Sequence, residues 1–233
     1  KSSYDFSNER IIFYIDAVLF ATQEGLGWDI KDRWPMQCIS TLAHEFQHMI
    51  HFYQKCVLLS KKNSEVYLNE MCSLMAEDFI ADKLQNDGPR GVPYNIGDAG
   101  SSNNTSGRLP LFNFYNNLSL TDWGNGGITN EDYLKSYSLN YSFGSFIARN
   151  YGGVELFKNI VKNSKNDFNA INDALNTMGY NNENFYTALQ KWGVAVLLSD
   201  ITTGIPTYYK YNIGGFFSSS VNGLTYNLGS INM

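Results

Sequence analysis

Residues 42–52 read LAHEFQHMIHF, and residues 68–78 read LNEMCSLMAED. Both patterns are helical. Around the first, Ile39, Leu42, Ala43, Phe46, Ile50 and Tyr53 fall on one stripe at helical spacing, with Gln37, Thr41, His44, His48 and Lys55 on the opposite one. The spacing predicts a helix that opens at Trp34-Pro35, where proline suits the first turn, with an apolar core side and a polar cleft side. The second stretch predicts a helix from Ser64, a suitable N-cap, to Asn86-Asp87-Gly88-Pro89, where Gly and Pro follow in the order a helix end favours. Its apolar stripe is Leu68, Cys72, Met75 and Phe79, and its polar stripe is Glu70, Ser73 and Glu77.

Outward from these helices, Arg10 to Phe20 (RIIFYIDAVLF) is rich in β-branched and aromatic residues and predicts a strand. The Gly-, Asn- and Ser-rich segment between Gly88 and Pro110 has no periodicity and reads as a flap or rim. Helices are expected over about 131–150, 154–162, 168–178 and 183–199, and short strands in the tail, where Gly223 to Leu228 alternates. The expected fold class is α+β. A short N-terminal sheet leads into a mainly helical part, with residues 1–200 as one unit (1–60 strand plus first helix, 61–200 mainly helical) and 201–233 as a β-rich tail.

Composition narrows the function. At 233 residues, 43% of them hydrophobic, the chain can bury a substantial core. A net charge of -5, with Lys and Arg scattered, lacks the basic footprint of nucleic-acid binding, so no DNA or RNA partner is expected. No apolar run reaches the roughly 18–20 residues of a membrane helix, and the first residues carry no hydrophobic export signal. Three cysteines, Cys38, Cys56 and Cys72, are too few for a disulfide scaffold and read as buried free thiols. The sequence says nothing of oligomeric state.

The chemistry lies in the two helices. His44 and His48, one turn apart on one face, can both reach a single ion at roughly 2.0–2.1 Å. Glu45 flanks that face and can act on a water at the ion without binding the ion itself. The pattern fits metal-assisted hydrolysis with one zinc per chain. Zinc in such a site needs a third protein ligand and an open fourth position. His51 lies on the same stripe but about 7–8 Å too far along the axis, which makes it a cleft or outer residue. Glu70 is the better candidate, with Glu77 its rival; Glu77 or Ser73 would otherwise receive a ligand imidazole N–H and hold its tautomer.

These two stretches resemble the bacterial hyicolysin-like family of gluzincin metallopeptidases. More broadly, the two-histidine motif followed by Asn69-Glu70 on the next helix resembles the thermolysin and aminopeptidase branches of that clan. Tyr141-Ser-Phe-Gly144 and Tyr151 to Phe157 are similar, more weakly, to segments of the aminopeptidase branch. The resemblance implies a thermolysin-like catalytic domain with His44, His48 and Glu70 as zinc ligands, Glu45 as general base, and Tyr141 donating its hydroxyl to the oxyanion. It further implies a protein or peptide substrate and action outside a bacterial cell or on its surface. No acidic segment for a substrate's free amine is present, which favours an endopeptidase. Two departures stand out: His48 and Glu70 are separated by 21 intervening residues, slightly more than in those branches, and the strand that would line a substrate would fall at or before Lys1. The alternative, a catalytically silent surface adhesin or binding module with a zinc site, sits poorly with an intact Glu45.

Overall fold

The computed structural model describes residues 14–15, 33–84, 89, 107–123, 130–199, 201, 203–212, 218–228 and 231. Seven α-helices are described: α1 Arg33–Phe52, α2 Val66–Leu84, α3 Arg108–Phe114, α4 Asn130–Asn150, α5 Val154–Lys162, α6 Phe168–Thr177 and α7 Phe185–Leu197. A short hairpin of β1 Ser218–Val221 and β2 Leu224–Asn227 follows. The described part is therefore mainly helical with a two-stranded C-terminal sheet, an α+β arrangement. By compactness the chain divides into 1–39 and 40–233, and every interaction discussed below lies in the second unit. The strand expected over Arg10 to Phe20 and most of the Gly88 to Pro110 segment lie outside the described residues.

The second unit is built around α2 and α4. Along α2 the expected stripe Leu68, Cys72, Met75 and Phe79 is buried, but so are Tyr67, Met71 and Leu74 on its flanks. A helix covered on nearly all sides is a core helix. From Ser138 to Asn150 every residue of α4 is buried. The two helices approach so closely that a Cβ on Gly144 would sit 2.9 Å from Met71 Cγ. Shape thus requires glycine there.

Around this pair α3 packs on α4, α5 on α6, β2 on α2 and β1 on α5. The polar sequence of the tail still supplies Tyr211, Leu228 and Ile231 to the core. The hairpin turns on Asn222-Gly223, both at positive φ (52° and 79°), as a two-residue turn between twisted strands requires.

Two local expectations fail for a physical reason. Ser64 does not cap α2: Asn69 N–H bonds the Glu65 carbonyl at 3.1 Å, which makes Glu65 the first capping position. The Ser64 hydroxyl is engaged elsewhere, 2.7 Å from His51 Nε2. The faces of α1 are also reversed. Phe46, Ile50 and Tyr53 are 41–52% exposed, while His44 is buried and His51 and Lys55 are fully buried. Polar side chains turn inward here because each finds a partner there, which offsets most of the usual penalty for burying them; Nδ1 of His51 is left without one.

Candidate metal centre

The inward face of α1 carries His44 and His48 one turn apart, and α2 brings Glu70 against them. His44 Nε2 lies 3.2 Å from Glu70 Oε2, His48 Nε2 lies 3.1 Å from His44 Nε2, and His48 Nε2 lies 3.3 Å from Glu70 Oε2. Two imidazole nitrogens and a carboxylate oxygen thus form a nearly equilateral triangle. Bonds of roughly 2.0–2.1 Å to one ion at the tetrahedral angle require ligand separations of about 3.3 Å, so the donors fit that demand. Among the described residues this trio is the group that could hold a metal ion. Its side chains are 10–22% exposed, which leaves the triangle reachable by water.

The outward nitrogens are held as well. His44 Nδ1 is 2.8 Å from Glu77 Oε1, and the other Glu77 oxygen accepts from the Ser40 hydroxyl at 2.8 Å. A carboxylate only accepts, so Nδ1 of His44 carries a proton, and in the neutral ring the Nε2 lone pair then faces the triangle. His48 Nδ1 is paired with the Ser73 hydroxyl at 3.1 Å. Each imidazole is thereby fixed in orientation by a second partner on α2.

Electrostatics favours positive charge at the triangle's centre. Burial opposes a charge on His44, but Glu70 and Glu77 outweigh it and raise its pKa to about 9. His48 is raised in the same way, against its burial, by Glu70. Burial would raise Glu70, yet the two histidines hold it down at about 2. With neutral imidazoles the trio carries one negative charge between three converging lone pairs, an arrangement that a cation relieves.

Glu45 follows His44 on α1 and is exposed, outside the triangle itself. Tyr141 is not brought to the cluster. It is fully buried in α4, and its hydroxyl donates to Asp78 Oδ1 at 3.0 Å, beside the buried Asp78–Arg149 ion pair. One turn earlier on α4, Tyr137 occupies the position expected for Tyr141. Its ring lies 6.0 Å from that of His44 and its hydroxyl is close enough to Glu70 to feel that carboxylate. Burial and Glu70 push this hydroxyl up to about 12, Glu45 adding to the effect while Arg108 opposes it. Trp123 packs edge-on against the Tyr137 ring at 5.1 Å, and the Arg108 guanidinium lies 5.1 Å from its centre.

His51 is neither in a cleft nor beside the triangle. It is fully buried against Ser64, and burial, with Lys55 and His48 nearby, lowers its pKa to about 3. Lys55, expected on the cleft side, is buried too. It sits in a π-helical turn, Tyr53–Leu58, that extends α1. Its ammonium donates to the carbonyls of Ile160, Asn163 and Lys165 at 2.7–2.8 Å, around the C-terminal end of α5 where a helix favours positive charge. Sequence reading missed Tyr137, Ser40 and Arg108. Tyr137 alone left a signal, as the tyrosine four residues before Tyr141 on the same helical face.

The family model for peptidase M30 matches residues 1–211. A neutral metalloprotease, ShpI of Staphylococcus hyicus, is 28% identical over 194 residues, which are 79% of this chain and 39% of that protein. The chain therefore spans about two fifths of its relative's length. With a family match over nine tenths of its residues, the chain belongs to the peptidase M30 family.

Proposed function

We propose that this chain is the catalytic part of a zinc-dependent endopeptidase, with His44, His48 and Glu70 as the metal ligands and Glu45 as general base. The observation that carries the reading is the triangle of two Nε2 atoms and one carboxylate oxygen, 3.1–3.3 Å on each side. Three protein ligands of the types His, His and Glu suit a catalytic zinc rather than a closed structural one. Zinc held there supplies Lewis acidity, both to a water nucleophile and to the carbonyl oxygen of the scissile bond.

The remaining work falls to the chain's own side chains. Glu45, exposed beside His44, accepts the proton of the attacking water and returns it to the leaving amine. Glu77 and Ser73 keep the two imidazoles turned toward the ion. Tyr137, whose hydroxyl stays protonated far above neutral pH, donates a hydrogen bond to the carbonyl oxygen as charge develops on it. For this it exchanges Glu70 for the substrate. In this reading the domain is thermolysin-like, and its substrates are proteins outside a bacterial cell, as the resemblance of residues 42–52 and 68–78 implies.

The test combines metal analysis with hydrolysis of a quenched casein, for wild type and Glu45→Gln. One zinc per chain in both, with turnover lost in the variant and on chelation, is the expected result. Equal activity of the two proteins would remove Glu45 from the mechanism. Stoichiometric zinc without turnover in the wild type would instead favour a binding module.

A further inference from the structure

We infer that Arg108 selects the substrate: its guanidinium receives a carboxylate carried by the peptide within about three residues of the scissile bond. This rests on the peptidase reading above and adds the charge class that the cleft prefers. Of the two arginines whose side chains are described, Arg149 is buried and paired with Asp78 at 3.0 Å. Arg108 is half-buried and, among the described residues, forms no ion pair. Its guanidinium lies over the face of Tyr137, the aromatic side chain that also neighbours His44 and Glu70.

Position and rigidity support a binding role. The Arg108 guanidinium is 5.1 Å from the Tyr137 ring centre, which is 6.0 Å from the His44 ring centre. Even laid end to end, those two steps span about three residues of extended peptide at roughly 3.3–3.6 Å each. The helix that carries Arg108 is well anchored, with Leu109, Pro110 and Phe112 buried and Phe112 packed on Trp192. The planar guanidinium lies on one aromatic ring and keeps its N–H groups for a planar, bidentate acceptor, which a carboxylate is. The same charge would repel a lysine or arginine of the substrate, so selection works in both senses.

A carboxylate can come from an acidic side chain or from the peptide's own C-terminus, and matched peptides separate the two. One series places Glu, Gln or Lys at each of the three positions on either side of the cleaved bond; a second compares free-acid with amidated C-termini. For the zinc-loaded wild type, kcat/KM is expected to be about tenfold or more higher for the carboxylate member at one position, through KM. Arg108→Gln should abolish that preference while changing turnover of the neutral peptide less than threefold. Arg108→Glu should transfer the preference to Lys, and Arg108→Lys should retain part of it.

A wild type indifferent to charge at every position overturns the proposal. So does an Arg108→Gln variant that keeps the preference, or one that loses activity on all peptides alike with zinc retained, which would make Arg108 a support for Tyr137. Binding of the Glu and Gln peptides to zinc-loaded Glu45→Gln protein, with and without Arg108→Gln, reads the same preference without turnover. A tenfold tighter Glu peptide, lost in the double variant, would uphold Arg108 even if the wild type proved inactive. Equal binding, or binding of neither peptide, would overturn it.

Discussion

Tyr137 and Tyr141 are one turn apart on α4, yet their hydroxyls meet different partners. That of Tyr137 is placed beside Glu70 of the triangle, and that of Tyr141 donates to the buried Asp78 beside Arg149. Removing each oxygen should therefore have a different consequence. Tyr137→Phe is expected to retain zinc and fold stability while lowering kcat by about a hundredfold or more, the usual loss for an oxyanion donor. Tyr141→Phe is expected to leave kcat within a few-fold and to cost about 1.5–3 kcal/mol of stability, since a hydrogen bond to a buried charged group disappears. Steady-state kinetics and denaturant melts of both variants check this. The reverse pattern would return the oxyanion role to Tyr141. Spacing alone could not choose between them, because residues four apart share a helical face, and the choice depends on where α4 crosses α2.

At the level of elements, the chain's periodicity made most helices legible. The stretches now seen as α4 to α7 were delimited to within two residues at each end, since Asp167 and Asn184 cap two of them and Gly152-Gly153 separates two others. The sequence misled on α1, where the apolar stripe gave a plausible core face. Amphipathicity records which residues share a face and not which face is covered. His44, His48, Lys55 and Ser40 turn inward because α2 and the end of α5 offer them partners, and those partners are 22 or more residues away in sequence. A metal centre was foreseeable from His44, His48 and Glu70; the contacts that orient it were foreseeable only as alternatives between Glu77 and Ser73, and both are used.

This attachment gives α1 a specific weakness. From Ser40 to His48 its side-chain hydrogen bonds to α2 gather around the metal triangle, while Phe46 and Ile50 remain 52% and 41% exposed. Farther along, Lys55 fastens the helix to α5 independently of the metal. Chelation should therefore loosen the helix unevenly. Amide exchange in residues 41–50 is expected to accelerate about tenfold or more on metal removal, with α5 to α7 unchanged, because metal binding contributes to the local folding free energy. Hydrogen-exchange mass spectrometry with and without chelator reads this directly. Uniform loss of protection across the second unit would mean that the metal supports the whole fold, and no change would mean that polar contacts suffice.

For the whole molecule, α1 couples stability to pH through histidines of opposite character. Neighbouring carboxylates raise His44 to about 9 and also raise His48, so in metal-free protein their contribution is fully present below about pH 6.5 and fades as pH climbs through the folded value. Burial instead lowers His51 to about 3. Between about pH 6.5 and 3 the unfolded chain then binds a proton at His51 that the folded chain does not, and stability must fall as pH falls. The limiting slope is about 1.4 kcal/mol per pH unit. Glu70, depressed to about 2, changes its contribution only below its ordinary pKa near 4.5. Comparing chelated wild type with chelated His51→Gln cancels the other groups, which titrate alike in both. Glutamine can still donate to the Ser64 hydroxyl. Urea melts should show the wild type losing about 1.5 kcal/mol relative to the variant between pH 6.5 and 5. A difference that does not vary with pH would mean that His51 takes up its proton in the folded protein as readily as in water, with its ring open to solvent rather than sealed between α1 and Ser64.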